Sequence, residues 1–266
     1  MTIRDRAAVR PPVVVVGLAV VTVAFFALPL VGIMARARWS TLWADLSTSE
    51  ARQALWLSAV CSVSAAGLSV VFGTPLAWVL ARVRFPGRAL VRGLVLLPLV
   101  LPPVVGGVAL LAVFSRRGPV GGWLYDVLGV QLTFTTAGAV VAATFVALPF
   151  YVITVEAALR GMDRRIEEAA ASLGAGRLTV LRQVTLPTIA PSVVAGVVLA
   201  WARARGEFGA TITFAGNIAG RTRTLPLAVY LALEADQQAA IALSLVLLGV
   251  SLVVLVALRD RWLGGA

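Results

Sequence analysis

The sequence predicts an all-α polytopic membrane protein with six transmembrane helices. Of its 266 residues, 60% are hydrophobic and only 13% are charged, whereas a soluble domain has about 45–50% apolar and about 25% charged residues. Several apolar stretches reach the ~20 residues that cross a hydrocarbon core of ~30 Å. These stretches lack the alternation of a β-strand, and in lipid only helices or closed barrels satisfy their own backbone groups.

Six hydrophobic segments carry this prediction. They span residues 13–34, 53–80, 89–114, 136–159, 188–208 and 239–258. The first segment follows several arginines and could imitate a secretory signal peptide. Its apolar stretch is longer than the h-region of about 7–15 residues that is usual in signal peptides. We therefore expect the first segment to remain as a transmembrane helix.

The arginines predict the orientation in the membrane. All 23 basic residues are arginines, and the connections on one predicted side hold 14 of them. Cytoplasmic loops carry the excess of basic residues, so we expect both termini in the cytoplasm. The tightest group lies between the second and third segments and consists of Arg82, Arg84, Arg88 and Arg92. Orientation in the membrane, rather than nucleic-acid binding, therefore explains the net charge of +11.

The residue types exclude several chemistries. Without lysine the chain cannot form a Walker A phosphate loop, so ATP hydrolysis would require another subunit. There is no histidine and only one cysteine, Cys61, which leaves no ligand set for zinc, haem or an iron–sulfur cluster. We expect no metal, no cofactor and no catalytic residues of an enzyme, and we expect Cys61 to be a packing residue.

The connection 163–187, between the fourth and fifth segments, is the most informative part of the chain. Asp163 is expected to cap a short helix that ends at Gly174. A second amphipathic helix is expected over about residues 177–184. The apolar residues that it would place on one face are Leu178, Leu181 and Val184. Such a helix–turn–helix could dock into a groove on a soluble partner, or it could be an ordinary structured loop.

This connection resembles the EAA loop of ABC importer permeases. The matching residues are Glu168, Ala169, Ala170, Gly174, Leu186 and Pro187. Their spacing follows the pattern of the family, with Val184 in the position where isoleucine is commonest. The resemblance implies a type I ABC importer permease fold. It also implies that the loop contains a coupling helix that docks onto a dimer of ATPase subunits.

A second stretch, residues 202–230, resembles the molybdate permease subunits, in which the motifs G-E-F-G-A-T-I-T-F and T-R-T-L-P recur. The resemblance covers about residues 50–258, although Arg205 stands where leucine is usual. It implies that the cargo is molybdate. Sulfate and thiosulfate permeases share the shorter E-F-G core, and tungstate closely matches molybdate in size and charge, so these cargoes remain alternatives.

Two groups of residues are candidates for the translocation pathway or its gate. They are Pro102, Pro103, Arg203, Arg205, Glu207 and Phe208. The two prolines would either open the backbone toward a pathway or kink a helix for packing. The ionisable residues lie at the end of an apolar segment, where such groups usually face a cavity or a partner. The arginines could attract a tetrahedral dianion, or an Arg–Glu pair could brace a turn.

These features divide the chain into three parts. Residues 1–52 form an N-terminal tail, the first transmembrane helix and an outer loop, residues 53–259 form the permease core, and residues 260–266 form a cytoplasmic tail. The resemblance implies a homodimer in the bacterial inner membrane that receives cargo from an extracytoplasmic molybdate-binding protein. An ion-coupled secondary transporter is the alternative from another class. It would need ionisable residues at mid-membrane depth or an inverted repeat.

Overall fold

The structure is a computed structural model that describes residues 12–263, with side chains up to residue 256. Within this range every regular element is helical. The helices are α1 (Val13–Arg36), α2 (Leu42–Leu46), α3 (Ser49–Arg82), α4 (Arg88–Val100), α5 (Pro103–Phe114), α6 (Pro119–Leu128), α7 (Thr136–Gly161), α8 (Arg164–Ser172), α9 (Arg177–Val180), α10 (Leu186–Thr188), α11 (Ala190–Arg205), α12 (Gly209–Phe214), α13 (Leu225–Ala235) and α14 (Gln237–Leu263). The arginines expected in the tail 1–11 and the side chains of the tail 260–266 lie outside the described residues.

Four helices are long and apolar enough to cross a bilayer, namely α1, α3, α7 and α14. They confirm four of the six predicted segments. Two bent helix pairs bring the number of spans to as many as six. One pair is Pro103–Phe114 with Pro119–Leu128, bent by 47°, and the other is Arg177–Thr188 with Ala190–Arg205, bent by 74°. Hydropathy therefore predicted the class of fold and the long helices, but not these bends.

The predicted segment 89–114 is not one continuous helix. Helix α4 ends at Val100 and α5 begins at Pro103, while Leu101 and Pro102 are extended, with ψ of 135° and 131°. A residue that precedes proline is disfavoured in the α-helical conformation. Leu101 and Pro102 each precede a proline, so the local sequence itself favours the break between α4 and α5.

Four short helices were not predicted from the sequence. They are α2, α6, α12 and α13, and each has 11 residues or fewer. Helices of this length do not produce the hydropathy signal of a span. Two of them begin with proline at the first or second position, where the missing N–H costs no helical hydrogen bond.

The centre of the bundle forms where α7 packs against α3 and α11. Tyr151 of α7 is fully buried, and its ring lies between two glycines. A Cβ atom added at Gly73 of α3 would be 2.6 Å from Tyr151 Cδ1, and one added at Gly196 of α11 would be 3.2 Å from Cδ2. The Tyr151 hydroxyl also shares a hydrogen bond of 2.6 Å with Thr74 Oγ1. Small residues thus allow three helices to approach one aromatic ring.

The outer helices α1 and α4 have no buried residues. Helix α1 contacts α14, and α4 is held to α7 by an ion pair. Arg92 of α4 pairs with Glu156, which also lies 2.8 Å from Arg160. Glu156 is buried, and a buried carboxylate needs such partners to remain charged. The exposed apolar side chains of α1 and α4 are suited to contact with lipid or with another subunit.

We expect the substitution Gly73→Ala to destabilise the protein by about 1–3 kcal/mol, because a methyl group there would displace the buried ring of Tyr151. Gly67→Ala on the same helix is the matched control, since nothing lies within 4 Å of the Cβ atom that it would add. Thermal unfolding of the purified protein in detergent measures both effects. Equal melting temperatures for the two variants would contradict the close contact between Gly73 and Tyr151.

Candidate functional site

Helix α8, in the connection between α7 and α11, is capped at both ends. Asp163 Oδ1 accepts a hydrogen bond of 3.0 Å from the N–H of Arg165. At the other end Gly174 has a φ of +89° and donates to the carbonyl of Ala171, while the next N–H donates to that of Ala170. This arrangement is a Schellman cap, and its left-handed position favours glycine. The predicted cap at Asp163 and turn at Gly174 are confirmed.

The second helix of this connection differs from its prediction. Helix α9 ends at Val180, and the chain continues as a π-helical turn, Leu181–Thr185, closed by a hydrogen bond from the N–H of Leu186 to the carbonyl of Leu181. In a regular α-helix the ring of Pro187 would clash with the carbonyl four residues earlier. The wider π turn accommodates the proline without that clash. The predicted second helix over about residues 177–184 is therefore present, but its second half is a π turn instead of a regular α-helix.

The π turn also changes which apolar residues share a face. Leu178 is 64% exposed, whereas Leu181 and Val184 are half-buried. The prediction assumed a regular helix with 3.6 residues per turn. A π turn holds more residues per turn, so the side chains within and after it point in other directions than in a regular helix. Leu178 therefore faces away from the bundle and adds to the apolar surface of the loop.

The two glutamates of α8 point in different directions. Glu167 turns toward α3, where its Oε2 lies 3.1 Å from Arg82 Nη2. Its Oε1 accepts a hydrogen bond of 2.7 Å from the hydroxyl of Thr185. Glu168 is exposed and borders a cavity of about 330 Å³ between the connection and the end of α3. Glu168 is thus available to a partner, and Glu167 is not.

The remaining residues of the EAA pattern lie around the exposed surface that carries Glu168. Ala169 and Pro187 are exposed, while Ala170 and Leu186 are half-buried. Leu173, at the end of α8, is 90% exposed. An exposed helix with apolar residues at its end is the kind of element that inserts into a groove of another protein.

The proline break and the start of α12 lie together, although they are far apart in the sequence. A Cβ atom added at Gly209, the first residue of α12, would be 2.9 Å from Pro103 Cβ. One added at Gly107 of α5 would be 2.7 Å from Thr213 Cβ of α12. Pro102 and Pro103 are themselves exposed. Two glycines therefore allow α5 and α12 to pack closely, and the prolines remain accessible beside this contact.

Glu207 stabilises the bend between α11 and α12. Its Oε2 lies 2.7 Å from Arg203 Nη1, and its side chain is only 1% exposed. Its Oε1 accepts a hydrogen bond of 2.7 Å from the N–H of Ala210. A carboxylate buried to this extent is stable as an anion only with such partners. These contacts favour the bracing interpretation of the Arg203–Glu207 pair over a free charge that faces a cavity.

Arg205 and Phe208, the other two candidates near Glu207, contact different helices. Arg205 donates from Nη1 to the carbonyl of Leu247 at 3.2 Å and from Nη2 to the hydroxyl of Ser251, both on α14. Phe208 contacts Tyr230 of α13, with ring centroids 5.3 Å apart. The structure thus brings Pro103 and Glu207 near the start of α12, whereas Arg205 joins α11 to α14.

The family of binding-protein-dependent transport system inner membrane components matches residues 73–264. The chain belongs to this family. The matched region contains every candidate residue, from Pro102 to Phe208. As an inner membrane component, the chain is a transport subunit that resides in the membrane, in agreement with its long apolar helices.

Two curated relatives of this inner membrane component are similar over most of its length. The molybdenum transport system permease protein ModB of Mycobacterium tuberculosis (strain H37Rv) is 48% identical over 245 residues, which are 91% of this chain and 92% of that protein. The sulfate transport system permease protein CysT of Escherichia coli (strain K12) is 39% identical over 223 residues, which are 84% of this chain and 80% of that protein.

A solved structure shares the fold of this inner membrane component. It is a chain of the bacterial alginate ABC transporter in complex with an alginate pentasaccharide-bound periplasmic protein. The two chains superpose with a TM-score of 0.70 at 19% sequence identity, and the match covers 93% of each chain. The predicted fold of an ABC importer permease is therefore confirmed.

Two acidic residues of this inner membrane component form ion pairs with arginines and were not predicted as site residues. Glu156 and Glu167 were not among the candidates, although Glu156 lies within the predicted segment 136–159. An ionisable residue within a span is itself a signal of a specific partner, and this signal could have identified Glu156. Among the described residues no group of three or more acidic, histidine or cysteine side chains could hold a metal ion. Glu156 pairs with Arg92 and Arg160, and Glu167 pairs with Arg82.

We expect Glu207→Gln to destabilise the protein by about 1.5–3 kcal/mol, because it removes a charged hydrogen-bond acceptor from Ala210 and the counter-charge of Arg203. Glu234→Gln is the matched control, since Glu234 is an exposed carboxylate on α13. Thermal unfolding in detergent compares the two variants with the parent protein. A melting temperature of Glu207→Gln equal to that of Glu234→Gln would show that Glu207 does not brace the bend.

Proposed function

We propose that this chain is the membrane-spanning permease subunit of an ATP-driven molybdate importer. The observation that carries this proposal is the 48% identity, over 91% of the chain, to a protein described as a molybdenum transport permease. The family match adds that transport depends on a binding protein. In this proposal a molybdate-binding protein delivers the oxyanion from outside the inner membrane, and the permease admits it to the cytoplasm.

We infer that a separate pair of ATPase subunits supplies the energy. This chain has no lysine, and a Walker A loop requires one. The EAA loop, residues 163–187, is the surface where the ATPase would dock. Its support is the exposure of Glu168 together with two exposed apolar residues, Leu173 at 90% and Leu178 at 64%. Aliphatic anchors beside a charge suit a helix that enters a groove.

We place the EAA loop and both termini in the cytoplasm. The arginines that make contacts near this loop support the placement, because the cytoplasmic side carries the excess of basic residues. Arg82 pairs with Glu167 of the loop, and Arg92 and Arg160 pair with Glu156 near the end of α7. Within this orientation the binding protein meets the opposite end of the bundle.

We propose that the translocation pathway follows the face where α5 meets α12. Irregular backbone at membrane depth is tolerated where it is covered by protein or lines a cavity. Pro102, the extended residue directly before Pro103, is exposed in the single chain. Val104 and Val108 beside them are 51% and 52% exposed. A second copy of the chain would cover this face, so the functional unit is a homodimer.

The residues in the last turn of α11 and directly after it contribute to this pathway in different ways. Arg203 retains 27% exposure beside its pair with Glu207, so it is the arginine of this stretch that could approach an oxyanion. Arg205 is engaged by α14 and would hold the helices in place. Phe208 and the two prolines would form an apolar constriction. We retain residues 53–259 as the permease core, with α1 as a peripheral helix on α14.

Sulfate is the second candidate cargo. The 39% identity to a sulfate permease, over 84% of this chain, is the observation that favours it. Sulfate, molybdate and tungstate are all tetrahedral dianions, so charge and hydrogen bonding alone do not separate them. The larger identity and coverage of the molybdenum permease favour molybdate.

The proposal is tested with the permease and its ATPase co-purified and reconstituted in liposomes. The binding protein is loaded in turn with molybdate, tungstate or sulfate, and both ATP hydrolysis and oxyanion uptake are measured. We expect molybdate or tungstate to stimulate hydrolysis and uptake, and sulfate to have little effect. Stimulation by sulfate alone would retain the importer but overturn the cargo. Absence of ATP-dependent uptake with all three would overturn the proposed function.

The variant Glu168→Lys is measured in the same assay. Glu168 is exposed and makes no ion pair with the side chains that the structure describes, so reversing its charge should leave the permease folded. It should also weaken the contact with the ATPase. We expect uptake per ATP hydrolysed to fall, with an unchanged melting temperature of the isolated permease. Parent-like coupling would exclude Glu168 from the docking surface.

A further inference from the structure

The EAA loop is joined to the transmembrane bundle by a small polar cluster as well as by the chain itself. Helix α8 packs against α9 and the π turn. The cavity of about 330 Å³ separates these three elements from the end of α3. The Glu167 carboxylate borders that cavity and makes both of the contacts described above, to Arg82 and to Thr185. The cluster therefore links α8, α3 and the π turn.

Because this cluster is largely buried, the charge of Arg82 depends on the Glu167 carboxylate for compensation. The side chains of Arg82 and Glu167 are 8% and 18% exposed, and Thr185 is 1% exposed. Neither Nε nor Nη2 of Arg82 makes a well-directed hydrogen bond among the described residues. The attraction between the two charges is thus the main compensation for burying the guanidinium. Removing one member of such a pair leaves an uncompensated charge.

The three residues of the cluster connect α8 to two different parts of the transmembrane bundle. Arg82 is the last residue of α3, which packs on α7 and α11 in the centre of the bundle. Thr185 is the last residue of the π turn, directly before α10 and the bend into α11. One carboxylate of α8 therefore contacts both the end of α3 and the last residue before α10 and the entry of α11.

We propose that Glu167 is the positioning residue that transmits movement of the EAA loop to α3 and to the entry of α11. This inference rests on the proposed function, in which an ATPase moves the loop. Glu168 and Glu167 then have separate tasks, because Glu168 faces the partner and Glu167 faces the bundle. Loss of Glu167 leaves the docking surface intact but allows α8 to move without α3.

The attachment itself is tested on the permease in lipid nanodiscs, without any transport assay. Hydrogen exchange of the amides in residues 164–186 is compared for the parent, Glu167→Gln and Arg84→Gln. Arg84 is an exposed arginine close to Arg82, so its loss controls for the change in charge. We expect exchange to be about tenfold faster in Glu167→Gln, because the lost contact involves charged groups, and unchanged in Arg84→Gln. Parent-like exchange in Glu167→Gln would overturn the proposal.

Transmission is tested with the same variants in the reconstituted complex with the ATPase. We expect Glu167→Gln to co-purify with the ATPase and to hydrolyse ATP, but with several-fold less uptake per ATP. The exchanged pair Arg82→Glu with Glu167→Arg should restore part of this ratio, which a general loss of stability would not do. An unchanged ratio would overturn the transmitting role. If the parent complex itself took up no oxyanion, the proposed function would fail, and the exchange measurement would still decide the attachment.

Discussion

The contact of Tyr151 with Gly73 and Gly196 holds together the three helices on which the rest of the structure depends. In a bilayer the hydrophobic effect does not drive helices together, so their association relies on close packing and on polar contacts between helices. Tyr151 supplies both, because its ring fills the space between two glycines and its hydroxyl bonds to Thr74. Helix α4, the EAA loop and α12 are attached around this centre.

Arginine–carboxylate pairs attach several of these outer parts. Glu156 holds α4 to α7, Glu167 holds the EAA loop to α3, and Glu207 braces the bend before α12. Each of these carboxylates is largely buried, so its arginine compensates a charge that would otherwise be costly.

Local signals in the sequence predicted much of the fold. The uniform apolar runs located α1 and α7, and the residues around Asp163 and Gly174 predicted the ends of α8. Features that depend on distant partners were not predictable from one sequence. Glu156 and Arg92 are 64 positions apart, and nothing in the pattern around either residue indicates the other. The π turn was not predictable for a different reason, because the apolar spacing before Pro187 also fits a regular helix.

Cross-linking tests whether the ATPase docks on the EAA loop. The protein's own Cys61 is 3% exposed, so an introduced cysteine can be labelled selectively. Leu173→Cys, carrying a photoreactive group, would be illuminated in the assembled complex beside Trp123→Cys on α6, a residue that is 57% exposed. We expect an ATPase adduct from position 173 and none from position 123. No adduct from position 173, or equal adducts from both positions, would contradict it.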